Sequence, residues 1–200
     1  LAFAVLTGCL RIAKESIFTG LNNFKVYSIT DKQYDEAFGF TNSEVLAMLC
    51  AYELNDHFDE VKEWYDGYRF GNADVYCPWD VMNYLRDIQE QPGKKPASYW
   101  KNTSDNAIIR SFIEHSGASV TKKLETLLSG GYIMQSLDED LTYDYLHSSE
   151  DNLWSIMYLT GYLTKMKDKL VKENIPAGMS ALKIPNAEIK EIFQTTIMKW

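Results

Sequence analysis

The 200-residue sequence predicts a mainly α chain with a few strands: the closing edge of an α/β sheet, then a helical lid, then a winged-helix-like subdomain. Three observations carry this reading. An apolar run over 1–6 turns at Thr7-Gly8 and is followed at once by Arg11, Lys14, Glu15 and Ser16, the way a buried strand reaches the ligand edge of an α/β sheet. Apolar residues then recur at helical spacing through most of the chain. Near the end, a helix is followed by two strand-like segments, 164–170 and 179–184, the order of a winged-helix tail.

Each element has its own local signal. The chain opens without Met inside the first strand, as expected of a piece of a longer protein. Residues 24–29 alternate well enough for a second strand, ended by Thr30-Asp31, and 31–37 read as a short helical turn. Thr41 to Glu44 supplies an N-cap and an acidic first turn for a helix through Val45, Leu46, Met48, Leu49 and Tyr52. A helix over 58–64 leads into Tyr65-Asp66-Gly67-Tyr68-Arg69-Phe70-Gly71, whose glycines and alternating aromatics predict a tight hairpin. Pro78 opens a helix over 79–88, since its missing N–H has no helical partner at that position in any case. Gln91-Pro92-Gly93-Lys94-Lys95-Pro96 is the best linker, and a subdomain boundary is expected there. Beyond it, helices are predicted over 106–115, 120–128 and 151–166, with strands over 132–137 and 180–185. Pro185-Asn186 caps a last helix over 187–200.

Composition narrows the class. With 46% hydrophobic and 14% aromatic residues the chain can build one good core or two small ones, burying roughly 70% of its unfolded surface. Its apolar runs fall well short of the ~20 residues that span a bilayer. Cys9, Cys50 and Cys77 lie far apart, which fits neither a disulfide framework nor a CxxC metal site, so a reducing cytoplasm is expected. The small residues of Leu6-Thr7-Gly8-Cys9 also match the pattern before a lipidated cysteine, but no basic segment precedes them and a patterned segment follows. The net charge of −8 is uneven: residues 1–159 carry −11 and 160–200 carry +3. The acidic bulk repels polyanions, so only the last fifth offers a basic face.

The stretches LTGCLRIAKESIFTGLNNFKVYSITDKQYDEAFGF, WYDGYRFG, VYCPWDVMNYL, LWSIMYLTGYLT and ALKIPNAEI, in this order and over nearly the whole chain, resemble the bacterial AAA-ATPase-like family. The resemblance implies the C-terminal edge of a P-loop α/β core over 1–40, a helical lid with an aromatic turn over 41–93, and a winged-helix-like subdomain over 94–200. Family members usually carry a PD-(D/E)XK nuclease-like domain after the ATPase part. The implied partners are therefore the chain's own preceding Walker segment and a following nuclease-like domain, with no membrane. ATP and magnesium are expected in the full-length protein and neither on this piece, because no GxxxxGK[ST] occurs in it. By the resemblance, Thr7 ends the strand that senses the γ-phosphate, Arg11 stabilises charge on the transferring phosphoryl, and Lys14 and Ser16 contact the nucleotide. The plainer reading of Arg11 and Lys14 is a solvated helix face beside Glu15.

A second functional reading is a non-enzymatic module in which Lys165, Lys167 and Lys169 dock on nucleic acid or a protein partner. No metal site is expected. Asp138, Glu139, Asp140 and Asp144 read as a solvated loop, and His57, His115 and His147 are isolated from the cysteines. Asn22 and Asn23 read as turn residues. Glu60-Val61-Lys62 and Glu188-Ile189-Lys190 match the Glu-x-Lys triplet of metal-dependent nucleases, but both fall on predicted helices and read as surface charge pairs. Trp64, Tyr65, Tyr68, Phe70, Tyr76 and Trp79 read as packing in preference to base stacking.

Overall fold

The computed structural model describes residues 25–100, 117–139, 141 and 149–197, together with Val5, Thr7 and Gly8. It is a mixed α/β structure of helices and two small antiparallel sheets. The described residues bury two apolar clusters, one from each half of the chain.

The first core is helical. Helix α1 (Asn42–Ala51) starts at a capping box: Glu44 N–H donates to the Thr41 hydroxyl, and Thr41 N–H donates to the Glu44 carboxylate at 2.8 Å. Such a pair satisfies two amides that the helix leaves without partners, and a cap of this kind is worth about 1 kcal/mol. After a 3₁₀ turn at Asn55–His57 comes α2 (Phe58–Tyr65), then the hairpin of β1 (Tyr68–Phe70) and β2 (Ala73–Val75), then α3 (Pro78–Glu90). Val45 and Leu49 of α1, Val61 and Tyr65 of α2, and Val81, Tyr84, Leu85 and Ile88 of α3 face one another. All are within a few per cent of full burial.

The second core forms around α5 (Glu150–Leu159), buried at every position from Leu153 to Tyr158. Against it lie α4 (Ala118–Leu128) and a three-stranded sheet. That sheet has the order β3-β5-β4, where β3 is Ile133–Ser136, β4 is Thr164–Lys165 and β5 is Met179–Lys183. Helix α6 (Ala187–Ile192) follows β5 and runs into a π turn at Phe193–Ile197.

Several expectations are corrected. Residues 25–28 form no strand: Ser28 N–H donates to the Asp31 carboxylate at 2.7 Å and Asp31 N–H to the Ser28 carbonyl, so local side-chain bonding turns the chain before a ladder can form. The helix expected to run to 166 ends at Leu159, because Thr160 and Gly161 (φ +86°) break it and the chain turns back into β4. Tyr162 and Leu163 kept the apolar rhythm going because they are buried by the turn instead. The two-stranded tail is three-stranded, with β5 in the middle. The last helix is short before its π turn, and 198–200 lie outside the described residues, as does the expected helix over 106–115. The linker over 91–96 folds back: Lys94 pairs with Asp87 at 2.7 Å and Lys95 with Glu60 at 2.8 Å.

Candidate functional site: a buried acidic seam between the two cores

The two cores meet where α6 seats against α2 and α3. Pro185 and Asn186 shape one side of this seam. The Asn186 carboxamide oxygen caps α6 by accepting from Ile189 N–H at 3.0 Å. Its nitrogen crosses the seam and donates to the Asp66 carbonyl, also at 3.0 Å. Opposite, Gly67 sits at φ +102°, and a methyl group placed on it would come 2.2 Å from the Pro185 carbonyl oxygen. Glycine is therefore the residue that lets the two backbones meet here. Tyr68 hydrogen-bonds Asn186 from β1.

Two carboxyls close the seam. Asp80 lies in the first turn of α3 and Glu188 in the first turn of α6; they are 1% and 0% exposed. Trp100 N–H donates to Glu188 Oε1 at 2.8 Å, and Tyr99 N–H also acts on this carboxyl. The Cys77 thiol lies against Asp80, and burial pushes its ionisation up. Asp80 Oδ1 and Glu188 Oε2 are sealed from solvent with no hydrogen-bond partner among the described residues, and the two carboxyls lie within hydrogen-bonding reach of each other. A bond between two carboxyls needs a proton on one of them. Burial raises both above the usual carboxylate range, Glu188 to about 8, with the neighbouring Asp80 charge adding to the effect. Tyr65 ties the next segment down by donating to the Ala97 carbonyl at 3.1 Å and accepting from Ala97 N–H at 3.2 Å.

The reading of Glu188 as a surface charge is thus overturned. A signal was present: Asp80 shares the buried stripe of α3 with Tyr84 and Ile88, and Glu188 stands one turn before Ile192. An acid on an apolar stripe is costly unless paired or protonated.

The residues singled out from sequence fall elsewhere. Val5 and Thr7 are exposed, and Arg11, Lys14 and Ser16 lie outside the described residues, as do Asn22 and Asn23. Lys165 is half-buried, with its ammonium 5.2 Å from the Tyr158 ring centre and 4.0 Å from Glu139, which also accepts from Ser28 and Thr30. Lys167 pairs with Asp74, which Arg69 also holds at 2.9 Å. Lys169 is exposed. Among the described residues no group of three His, Cys, Asp or Glu side chains is arranged to hold a metal ion, and no helix is long and apolar enough to cross a membrane. Of the six aromatics, Tyr65 and Tyr76 are buried, whereas Trp79 is 54% exposed.

A protein of Azotobacter chroococcum mcd 1, described as an uncharacterized protein in the vnfD 5'region, is 25% identical to this chain over 189 residues. The match covers 94% of the chain. The chain spans about a third (33%) of that relative's length. No family model and no solved structure matches.

The first core has a polar network of its own. Glu60 accepts from Lys95 and from the Tyr84 hydroxyl, each at 2.8 Å, and from His57 at 3.0 Å. Lys95, then Tyr84, hold its carboxyl down, from the ordinary 4.5 to about 2. A carboxyl held down in the folded state adds stability that is present above its unfolded value and is lost as pH falls through its folded value. The urea midpoint of the protein should therefore drop between about pH 4.5 and 2, and Glu60→Gln should remove part of that drop. An unchanged acid slope in the variant would mean that the network is not formed in solution.

Proposed function

We propose that this chain is the C-terminal, non-hydrolysing portion of an AAA-ATPase-like protein, serving as a rigid module that follows the nucleotide-binding part. One observation carries the reading. Three of the stretches on which the family resemblance rests converge on the seam. WYDGYRFG supplies Asp66, Gly67 and Tyr68; VYCPWDVMNYL supplies Cys77 and Asp80; ALKIPNAEI supplies Pro185, Asn186 and Glu188. Segments far apart in sequence that interlock in one place act as a unit.

In this reading the chain begins with the end of a P-loop core. Thr7 and Arg11 answer to the γ-phosphate, and Lys14 and Ser16 to the rest of the nucleotide. ATP and magnesium are held mainly by the Walker segment of the longer protein. The segment from α5 through β4 and β5 corresponds to a winged-helix-like tail, with a nuclease-like domain beyond it. Docking of nucleic acid on Lys165, Lys167 and Lys169 is the weaker alternative, because two of these lysines already face Glu139 and Asp74.

Titration calorimetry with ATP and magnesium tests the proposal. The longer protein that includes the Walker segment should bind, and this chain alone should give no heat of binding. Silence from the longer protein would overturn it.

A further inference from the structure

The seam brings two acids together, and among the described residues no base pairs with either. Besides Asp80 and Glu188, the titratable groups that face it are Cys77 at the start of α3, Tyr65 of α2 and Tyr68 of β1. The segment beside α6 contributes the backbone N–H groups of Tyr99 and Trp100. Asp66, also at the seam, has Lys62 and Lys183 as its cationic neighbours. Among the described residues, no lysine, arginine or histidine forms an ion pair with Asp80 or Glu188. Two ionised carboxylates sealed from solvent have only acceptors to offer each other, and they repel strongly at low dielectric.

We infer that Asp80 and Glu188 hold one proton between them and that this proton latches the seam. When it leaves to solvent base, α6 and the 97–100 segment part from α3, while the interior of each core stays packed. The fold thereby has a pH-responsive joint between its two cores, and this holds whether or not the longer protein binds ATP.

The sign follows from linkage. Burial, then the Asp80 charge, keeps Glu188 protonated up to about 8 in the folded chain, whereas in the unfolded chain it ionises near 4.5. The stabilising effect is complete below the unfolded value and is lost as pH rises through the folded one. For one proton, the unfolding constant should climb by about tenfold per pH unit between roughly pH 5 and 8.

Infrared spectroscopy of the intact chain tests this. A protonated carboxylic C=O band should be present at about pH 6, vanish by about pH 9, and be missing from Asp80→Asn/Glu188→Gln. Hydrogen exchange, corrected for its intrinsic base catalysis, should quicken in α6 and at Trp100 across the same range but not in α5. The double variant should lose the steep alkaline fall in stability. Absence of the band from the wild type at about pH 6, or equal pH slopes in wild type and variant, would overturn the inference. Should the variant not fold, the band and the exchange pattern of the wild type decide alone.

Discussion

Gly67→Ala is expected to destabilise the fold by about 3 kcal/mol or more, read as a drop in urea midpoint of roughly 1 M or more. Two costs combine. A φ of +102° is strained for any L side chain, at about 1–2 kcal/mol. The added methyl also meets the Pro185 carbonyl oxygen at 2.2 Å and pushes α6 away from α2. Gly130 separates the two costs, because it has φ +87° but nothing within 4 Å of the place a methyl would occupy. Gly130→Ala should show the conformational cost alone, about 1–2 kcal/mol. Equal losses at both positions would show that the backbones at the seam are not in close contact.

The second large effect lies in the other core. Trp154→Ala should cost about 3–5 kcal/mol, since the side chain is fully buried in α5 and its removal leaves a cavity that the surrounding sheet and helices cannot close. The Lys123 ammonium, 5.3 Å from the ring centre, would lose its aromatic partner as well. Trp79→Ala, at a position 54% exposed, should stay within about 0.5 kcal/mol and serves as the control in chemical denaturation. A small loss for Trp154→Ala would remove α5 from the centre of the second core.

Most helices are legible in the sequence, because their signals are local. Thr41 with Glu44, Pro78, and the glycines after α4 mark ends through single hydrogen bonds or single torsions. The hairpin after α2 was legible for the same reason, although its strands begin at Tyr68. Residues 25–28 were misread because alternation over a few residues predicts a strand only if a partner strand exists, and Ser28 and Asp31 bond locally instead. The length of α5 was misread because burial of Tyr162 and Leu163 comes from the turn that follows the helix.

The seam was half visible. Asp80 and Glu188 stand on apolar stripes, which marks them as unusual, yet a stripe does not say what lies across from it. The basic character of the tail was also real in the sequence, but it gave no sign that Lys167 would meet Asp74 of the first hairpin.

By itself the sequence determined where most helices start, which faces are apolar, and how charge divides between the two ends, because each depends on residues within a few positions of one another. The tertiary structure alone decided that two acids from distant helices meet with no ion-pair partner among the described residues and that Gly67 lies against Pro185. Both are long-range contacts, set by how the two cores pack and not by any local preference of the chain.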